Sequence, residues 1–62
     1  MNTITEFSYR KLTNGKILCT ATYLNEDLNR FNSAIQIGYS QNQAKLLAKR
    51  KLNQKIRAKG WV

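Results

Sequence analysis

Apolar and polar residues alternate with a period of two through most of the N-terminal half of the chain, a pattern typical of half-buried β-strands. Segments 3–12 and 16–24 are rich in Thr, Ile, Phe and Tyr, and Thr13-Asn14-Gly15 separates them. β-Branched and aromatic runs on either side of an Asn-Gly pair are characteristic of a β-hairpin. The pattern therefore predicts two antiparallel strands joined by a short turn.

Two loop lengths are compatible with this hairpin, and each places different side chains on the apolar face. A two-residue Asn14-Gly15 turn puts Ser8 and Arg10 on the apolar face of the second strand. A three-residue loop with a left-handed Gly15 is preferred, because it collects the apolar residues on one face. That face comprises Phe7, Tyr9, Ile17, Cys19, Ala21 and Tyr23. The opposite face comprises Ser8, Arg10, Thr20 and Thr22.

The stretch from 25 to 39 fits either a strand or a helix. Phe31, Ser33, Ile35, Ile37 and Tyr39 alternate with Arg30, Asn32, Ala34, Gln36 and Gly38, which favours a third strand. Against this, Asn25 before Glu26-Asp27 resembles a helix start, and Leu28 is spaced to share a helical face with later apolar residues. The Asn and Ser residues of this stretch lower helix propensity, so the strand is preferred.

The C-terminal segment carries the signals of a helix at both ends. Ser40 is suited to the N-cap, and Gln43 follows at the capping-box spacing. Gly60 is suited to the left-handed position after the last turn, with Trp61 folding back beyond it. These signals predict a helix over 41–59. Its apolar stripe recurs every four residues and comprises Ala44, Ala48, Leu52 and Ile56.

Together these elements predict an α+β fold of order β-β-β-α, a three-stranded antiparallel sheet packed on one C-terminal helix. The 62 residues are enough for a single domain, 1–62, with a small core. If 25–37 is helical instead, the alternative is a β-hairpin followed by a helix-turn-helix.

The charge is strongly positive and unevenly distributed. Eleven Lys and Arg residues against three acidic residues give a formal net charge of +8. The acidic residues all lie in the first half, whereas the predicted helix has none. Its basic residues are Lys45, Lys49, Arg50, Lys51, Lys55, Arg57 and Lys59. Such a field attracts polyanions, of which nucleic acid is the commonest, although a ribosomal or merely solubilising charge has the same composition.

The residues needed for catalysis are scarce. The chain has no histidine, one cysteine and three carboxylates, Glu6, Glu26 and Asp27. No zinc spacing or glycine-rich phosphate loop is present, so we expect a non-enzymatic protein without a metal or cofactor. The lone Cys19 in an apolar strand is most simply a small core residue. No apolar run has membrane-span length and no signal peptide is recognisable, so the expectation is a cytoplasmic protein.

Two sets of residues are suited to nucleic acid. The basic helix offers phosphate contacts through Lys45, Lys49, Arg50, Arg57 and Lys59. If the three-strand interpretation holds, one sheet face packs against the helix, and the open face carries polar groups suited to base edges and phosphates. These are Arg10, Thr20, Thr22, Arg30 and Asn32, with Ser8 and Gln36 beside them. A solvated sheet face that binds nothing would show the same alternation.

The order of these elements resembles the arm-type DNA-binding domain of phage integrases over about residues 7–52. The resemblance is carried by Tyr9-Arg10-Lys11, Asn14-Gly15-Lys16, the Asn25-Glu26-Asp27 turn, Arg30 and Gly38-Tyr39 before a Lys-rich helix. In that family the sheet lies in the major groove. The resemblance implies this role for Arg10, Thr20, Thr22, Arg30 and Asn32, and it slightly favours DNA over RNA.

Two further resemblances concern the C-terminal half. Ser40, Ala44, Lys45 and Ala48 resemble the start of the last helix of double-stranded RNA-binding domains, which implies phosphate contacts by that helix. The string from Ala34 to Ser40 resembles a helix-turn-helix of phage DNA-binding proteins, with Gly38 in the turn. That resemblance implies a recognition helix over 40–51.

A protein partner is the alternative to nucleic acid. The same basic helix suits a small phage-type inhibitor or adaptor that binds an acidic host protein. A membrane partner is not expected, because the apolar stripe of the helix is narrow and rich in alanine. A homodimer stays open, since so short a chain has a small core.

Overall fold

A computed structural model describes residues 3–61, which form three strands followed by one helix. The strands are β1 (Thr3–Lys11), β2 (Ile17–Asn25) and β3 (Arg30–Gly38), and the helix is α1 (Gln41–Ala58). The strands form one antiparallel sheet in the order β1-β2-β3, and α1 packs against β2 and β3. The predicted β-β-β-α fold is confirmed. The helical alternative for 25–37 is wrong, because most of that stretch is β3.

The first hairpin closes through the three-residue loop that the apolar pattern favoured. Leu12 N–H donates to the carbonyl of Lys16 at 2.8 Å, and Gly15 N–H donates to the carbonyl of Leu12 at 3.0 Å. Gly15 has a φ of 84°, a left-handed conformation that glycine adopts without strain. The register that follows is confirmed, with Phe7 opposite Ala21, Tyr9 opposite Cys19 and Arg10 opposite Leu18.

The second hairpin has a four-residue loop, since Asn25 pairs with Arg30. The buried Asn25 accepts a hydrogen bond at Oδ1 from Leu28 N–H at 3.2 Å, and Asn29 takes a left-handed φ of 51°. Asn tolerates both roles better than most residues. This loop fixes the register of β3, which places Ala34 opposite Ala21 and Gln36 opposite Cys19.

The orientation of β3 is the reverse of the prediction. Its small residues Ala34 and Gly38 are buried on the side of the helix, whereas its bulky residues are exposed on the other side. The exposed fractions are 62% for Phe31, 58% for Ile35 and 48% for Ile37. The expectation that Arg30, Asn32 and Gln36 lie on the open face is therefore wrong, since they lie on the helix side with Ala34.

Close packing of α1 explains this reversal. The core between sheet and helix consists mainly of small side chains, Cys19, Ala21, Ala34, Ala44 and Ala48, with Leu52 and Ile56 toward the end of the helix. A Cβ atom added to Gly38 would lie 2.7 Å from the backbone nitrogen of Ala44. Such a short separation leaves no room for Phe or Ile beneath the first turns of α1.

Both predicted helix ends form. Ser40 is the N-cap, and its Oγ accepts a hydrogen bond from Gln43 N–H at 3.2 Å. The Gln43 side chain accepts from Tyr39 N–H at 2.6 Å, one residue before the cap. At the other end, Gly60 N–H donates to Arg57 and Trp61 N–H donates to Ile56, the Schellman arrangement. The helix ends at Ala58 rather than 59, with Lys59 as its C-cap.

Candidate nucleic-acid interface

The cations of α1 lie in solvent because the apolar stripe takes the contacts with the sheet. The buried residues of the helix are Ala44, Ala48, Leu52 and Ile56, as the four-residue spacing predicts. The exposed basic residues are Lys45, Lys49, Arg50, Lys51, Lys55 and Arg57, followed by Lys59 at the C-cap. No acidic residue occurs in α1 to offset them. From Lys45 onward the exposed surface of the helix therefore carries positive charge and no negative charge.

The side of α1 farthest from the sheet carries Arg50 and Arg57. Seven residues separate them, which is about two turns and about 10 Å along the axis, so both arginines project in nearly the same direction. Together with Asn53 and Gln54 they line a shallow groove. We call these four residues the outer helix surface. Two guanidinium groups and two amides are donors well suited to phosphate oxygens.

Lys45 and Lys49 lie on the flank of α1 that faces β1. The Lys45 ammonium is 5.0 Å from the centre of the Phe7 ring, within the range of a cation–π contact. Lys49 borders a groove of about 430 Å³ between β1 and the helix, lined also by Phe7 and Tyr23. Lysine stems can cover apolar surface while their ammonium groups stay hydrated. The two lysines thus extend the positive surface toward β1.

The flank facing β3 is also basic. Lys55 donates a hydrogen bond from Nζ to the carbonyl of Ser33 at 2.8 Å, which ties this side chain to the edge strand. Lys51 lines a shallow groove with Gln36 and Arg50. The sequence placed Lys51 and Lys55 in the basic helix but not among the expected phosphate contacts. Their position gives α1 cations on both flanks.

Arg30 and Lys59 meet around Trp61, beyond the C-terminal end of α1. The Arg30 guanidinium carbon is 5.4 Å and the Lys59 ammonium 5.5 Å from the centre of the indole ring. The indole stacks on Tyr23 with ring centres 5.9 Å apart and an interplanar angle of 28°. Arg30 therefore contributes to this aromatic cluster rather than to the open sheet face. Trp61 was anticipated as a folded-back residue, but its two cationic neighbours were not.

Arg10, Thr20 and Thr22 lie on the face of the sheet turned away from α1, as predicted. Their cross-strand neighbours in β3 are two apolar residues, Ile35 and Ile37, and one polar residue, Ser33. The sheet therefore separates these three residues from the helix cations. One contact surface cannot include both sets, and a polar sheet face with Arg30 and Asn32 does not form.

The thiol of the single cysteine is shielded from solvent. Cys19 is fully buried, and burial raises the pKa of its thiol, an effect that the nearby Lys45 charge partly opposes. A thiol in this environment is a poor nucleophile. Within residues 3–61, no cluster of three or more His, Cys, Asp or Glu side chains is arranged to hold a metal ion.

No helix within the described residues combines the length and the apolar character that a membrane span requires. Comparisons with protein-family models, with characterised proteins and with solved structures found no match to this chain.

Proposed function

We propose that this protein binds the phosphate backbone of duplex nucleic acid through α1. The observation that carries the proposal is the set of seven exposed cations between 45 and 59, with no acidic residue among them and with basic side chains on the outer surface and on both flanks. Helix backbone and caps hold these cations in fixed positions, so less conformational entropy is lost on binding than in a disordered basic tail.

The arrangement suits phosphates better than bases. The outer helix surface offers Arg50 and Arg57 about 10 Å apart, flanked by lysines. The open sheet face carries one basic residue, Arg10, and exposes Ile35 and Ile37 where Asn32 and Gln36 were expected to offer base contacts. Phosphate contacts position a protein on a duplex but carry no sequence information. We therefore propose binding with weak sequence preference, to DNA or RNA duplexes.

Salt dependence tests the proposal quantitatively. Each phosphate contact releases counterions, so the logarithm of the binding constant falls with the logarithm of salt concentration by about 0.9 per contact on B-DNA. Neutralising both arginines in an Arg50→Gln/Arg57→Gln variant preserves helix propensity and removes two charges. We expect the slope measured by fluorescence anisotropy on a labelled duplex to become shallower by about 2 units.

The matched control is Lys11→Gln/Lys16→Gln, which removes the same charge from the first hairpin rather than from α1. Its slope should stay within about half a unit of wild type, because only long-range attraction changes. Equal slopes for wild type and the Arg50/Arg57 variant contradict the proposal. Equal affinity of wild type for polyglutamate of the same length also contradicts it, since charge alone would then account for binding and an acidic protein would serve as well.

A further inference from the structure

The sheet face turned away from α1 carries six apolar and six polar side chains, and no other described element covers it. We call it the open face, and it consists of twelve alternate strand positions in four cross-strand rows. The rows are Ile4-Leu24-Phe31, Glu6-Thr22-Ser33, Ser8-Thr20-Ile35 and Arg10-Leu18-Ile37. Four of these apolar side chains, Ile4, Phe31, Ile35 and Ile37, are between 41% and 62% exposed. They form two groups, Ile4 with Phe31 and Ile35 with Ile37, on either side of the polar row Glu6-Thr22-Ser33. Several large apolar side chains exposed on one face indicate an interaction surface.

The distribution of side-chain size points to burial of this face in an assembly. Between the sheet and α1 the buried side chains are mostly small, and Leu52 and Ile56 are the large ones, whereas Phe31 and Ile35 are in solvent. A chain of 62 residues lies close to the smallest size at which one hydrophobic core suffices. Covering the open face would add large apolar contacts to this small core.

The charge distribution favours a second copy of this chain as the partner that covers the open face. Each copy carries a net charge of +8, so two copies repel each other in most orientations. The open face is the exception, because its charged residues are one acid, Glu6, and one base, Arg10. Lys16 lies beyond the last row, 5.3 Å from the Tyr39 ring. A face that has no net charge and exposes large apolar side chains can therefore pack against its own copy, even on a strongly basic protein.

Apposing two open faces also moves the basic helices apart. Packed sheets lie about 10 Å apart, and each helix adds about 10 Å beyond its own sheet. The two α1 helices are then about 30 Å apart on the outer sides of the assembly, well beyond the Debye length of about 8 Å at physiological salt. Repulsion between the helices is therefore largely screened, and their phosphate-facing surfaces stay accessible.

The size of the face sets the expected affinity. Strands of nine residues are about 30 Å long, and three of them span about 14 Å, a projected area of about 400 Å² per copy. Protruding side chains increase the accessible area, so apposition buries about 800 Å² or more in total. Specific interfaces begin near about 1,200 Å². A weak dimer with a micromolar dissociation constant is expected.

We propose that the open face is the interface of a homodimer, in which two sheets pack face to face with α1 outermost. The two-fold axis passes near the centre of the face, between Thr20 and Thr22. An interface of this kind is isologous, so residues close to the axis meet their own counterparts. This proposal does not depend on the proposed function of α1.

Sedimentation equilibrium from about 1 µM to about 500 µM tests it. Wild type should change from monomer toward dimer mass across this range. The Phe31→Thr/Ile35→Thr variant keeps strand propensity and should weaken dimerisation at least tenfold. Leu46→Gln is the matched control, because Leu46 is 57% exposed on α1 rather than on the sheet, and it should dimerise like wild type. A wild-type chain that stays monomeric throughout overturns the proposal.

Cysteine cross-linking tests the geometry separately. Thr20→Cys introduces a thiol near the proposed axis, whereas Arg50→Cys places one on the outer helix surface, and the native Cys19 is buried in both. Mild oxidation at about 100 µM protein should cross-link the first variant and leave the second mainly monomeric. Efficient cross-linking through Arg50→Cys alone overturns the face-to-face arrangement. Loss of dimerisation without loss of nucleic-acid binding leaves the proposed function intact.

Discussion

A substitution at Gly38 tests the close packing of α1 on β3, because the structure leaves no space for a methyl group at this position. A Cβ atom at this position would lie 2.7 Å from the backbone nitrogen of Ala44, 3.0 Å from its Cα and 3.1 Å from Oε1 of Gln43. Two of these atoms belong to the backbone of the first helical turn. The third accepts the hydrogen bond from Tyr39 N–H. Replacing Gly38 by Ala must therefore move the start of the helix.

The magnitude follows from two opposing effects. Gly38 does not adopt a positive φ, so Ala fits its backbone conformation and would stabilise the chain by about 0.4–1 kcal/mol through the unfolded state alone. Overpacking typically costs about 1–3 kcal/mol. The steric cost dominates, because backbone rather than a flexible side chain must yield. We expect Gly38→Ala to lower the unfolding free energy by about 1–2 kcal/mol, with a melting temperature lower by about 4–8 °C per kcal/mol.

Urea unfolding monitored by Trp61 fluorescence and by circular dichroism measures this effect, with the m-value unchanged. Ser33→Ala is the control, since it alters the same strand on the open face without approaching the helix. Its unfolding free energy should stay within about 0.5 kcal/mol of wild type. A Gly38→Ala chain as stable as wild type, or more stable, refutes the packing of β3 described above.

Three further predictions concern the caps and the buried thiol. Ser40→Ala should cost about 1 kcal/mol in urea unfolding, because Gln43 N–H loses its acceptor. Gly60→Ala should cost about 1–2 kcal/mol in the same assay, because Gly60 has a φ of 73°. Burial raises the pKa of Cys19 in the folded chain, so above about pH 9 the unfolded chain releases this proton more readily and stability falls. The urea midpoint between pH 7 and pH 10 should therefore fall more for wild type than for Cys19→Ala, and equal falls would contradict this effect.

Local signals in the sequence were sufficient for most of the fold. Ser40 and Gly60 delimit α1 because capping and left-handed geometry depend on residues within one turn. Gly15 fixes the first hairpin for the same reason, and the loop length then determines which face of β1 and β2 is apolar. The exposed cations of α1 also follow from the spacing of its buried stripe.

The orientation of β3 was not predictable from apolar periodicity alone. Either alternating set of β3 residues could form the inner face of the sheet. The size of the apolar side chains favours the set that contains Phe31 and Ile35. The structure buries Ala34 and Gly38 instead, because Ala44 and Ala48 bring the helix too close for larger side chains. The signal was present as small residues in both the stripe and the strand. Matching their sizes would have placed Arg30 and Asn32 on the helix side.

The proposed function requires that nucleic acid contacts the exposed cations of α1. The most direct test is a titration of isotope-labelled protein with a short duplex at about 100 mM salt, followed by amide and arginine side-chain chemical shifts. We predict that the largest shifts occur between 45 and 59, with Arg50 and Arg57 side chains among them. Shifts concentrated on Phe31, Ile35 and Ile37 of the open face, or no shifts with either DNA or RNA, would contradict it.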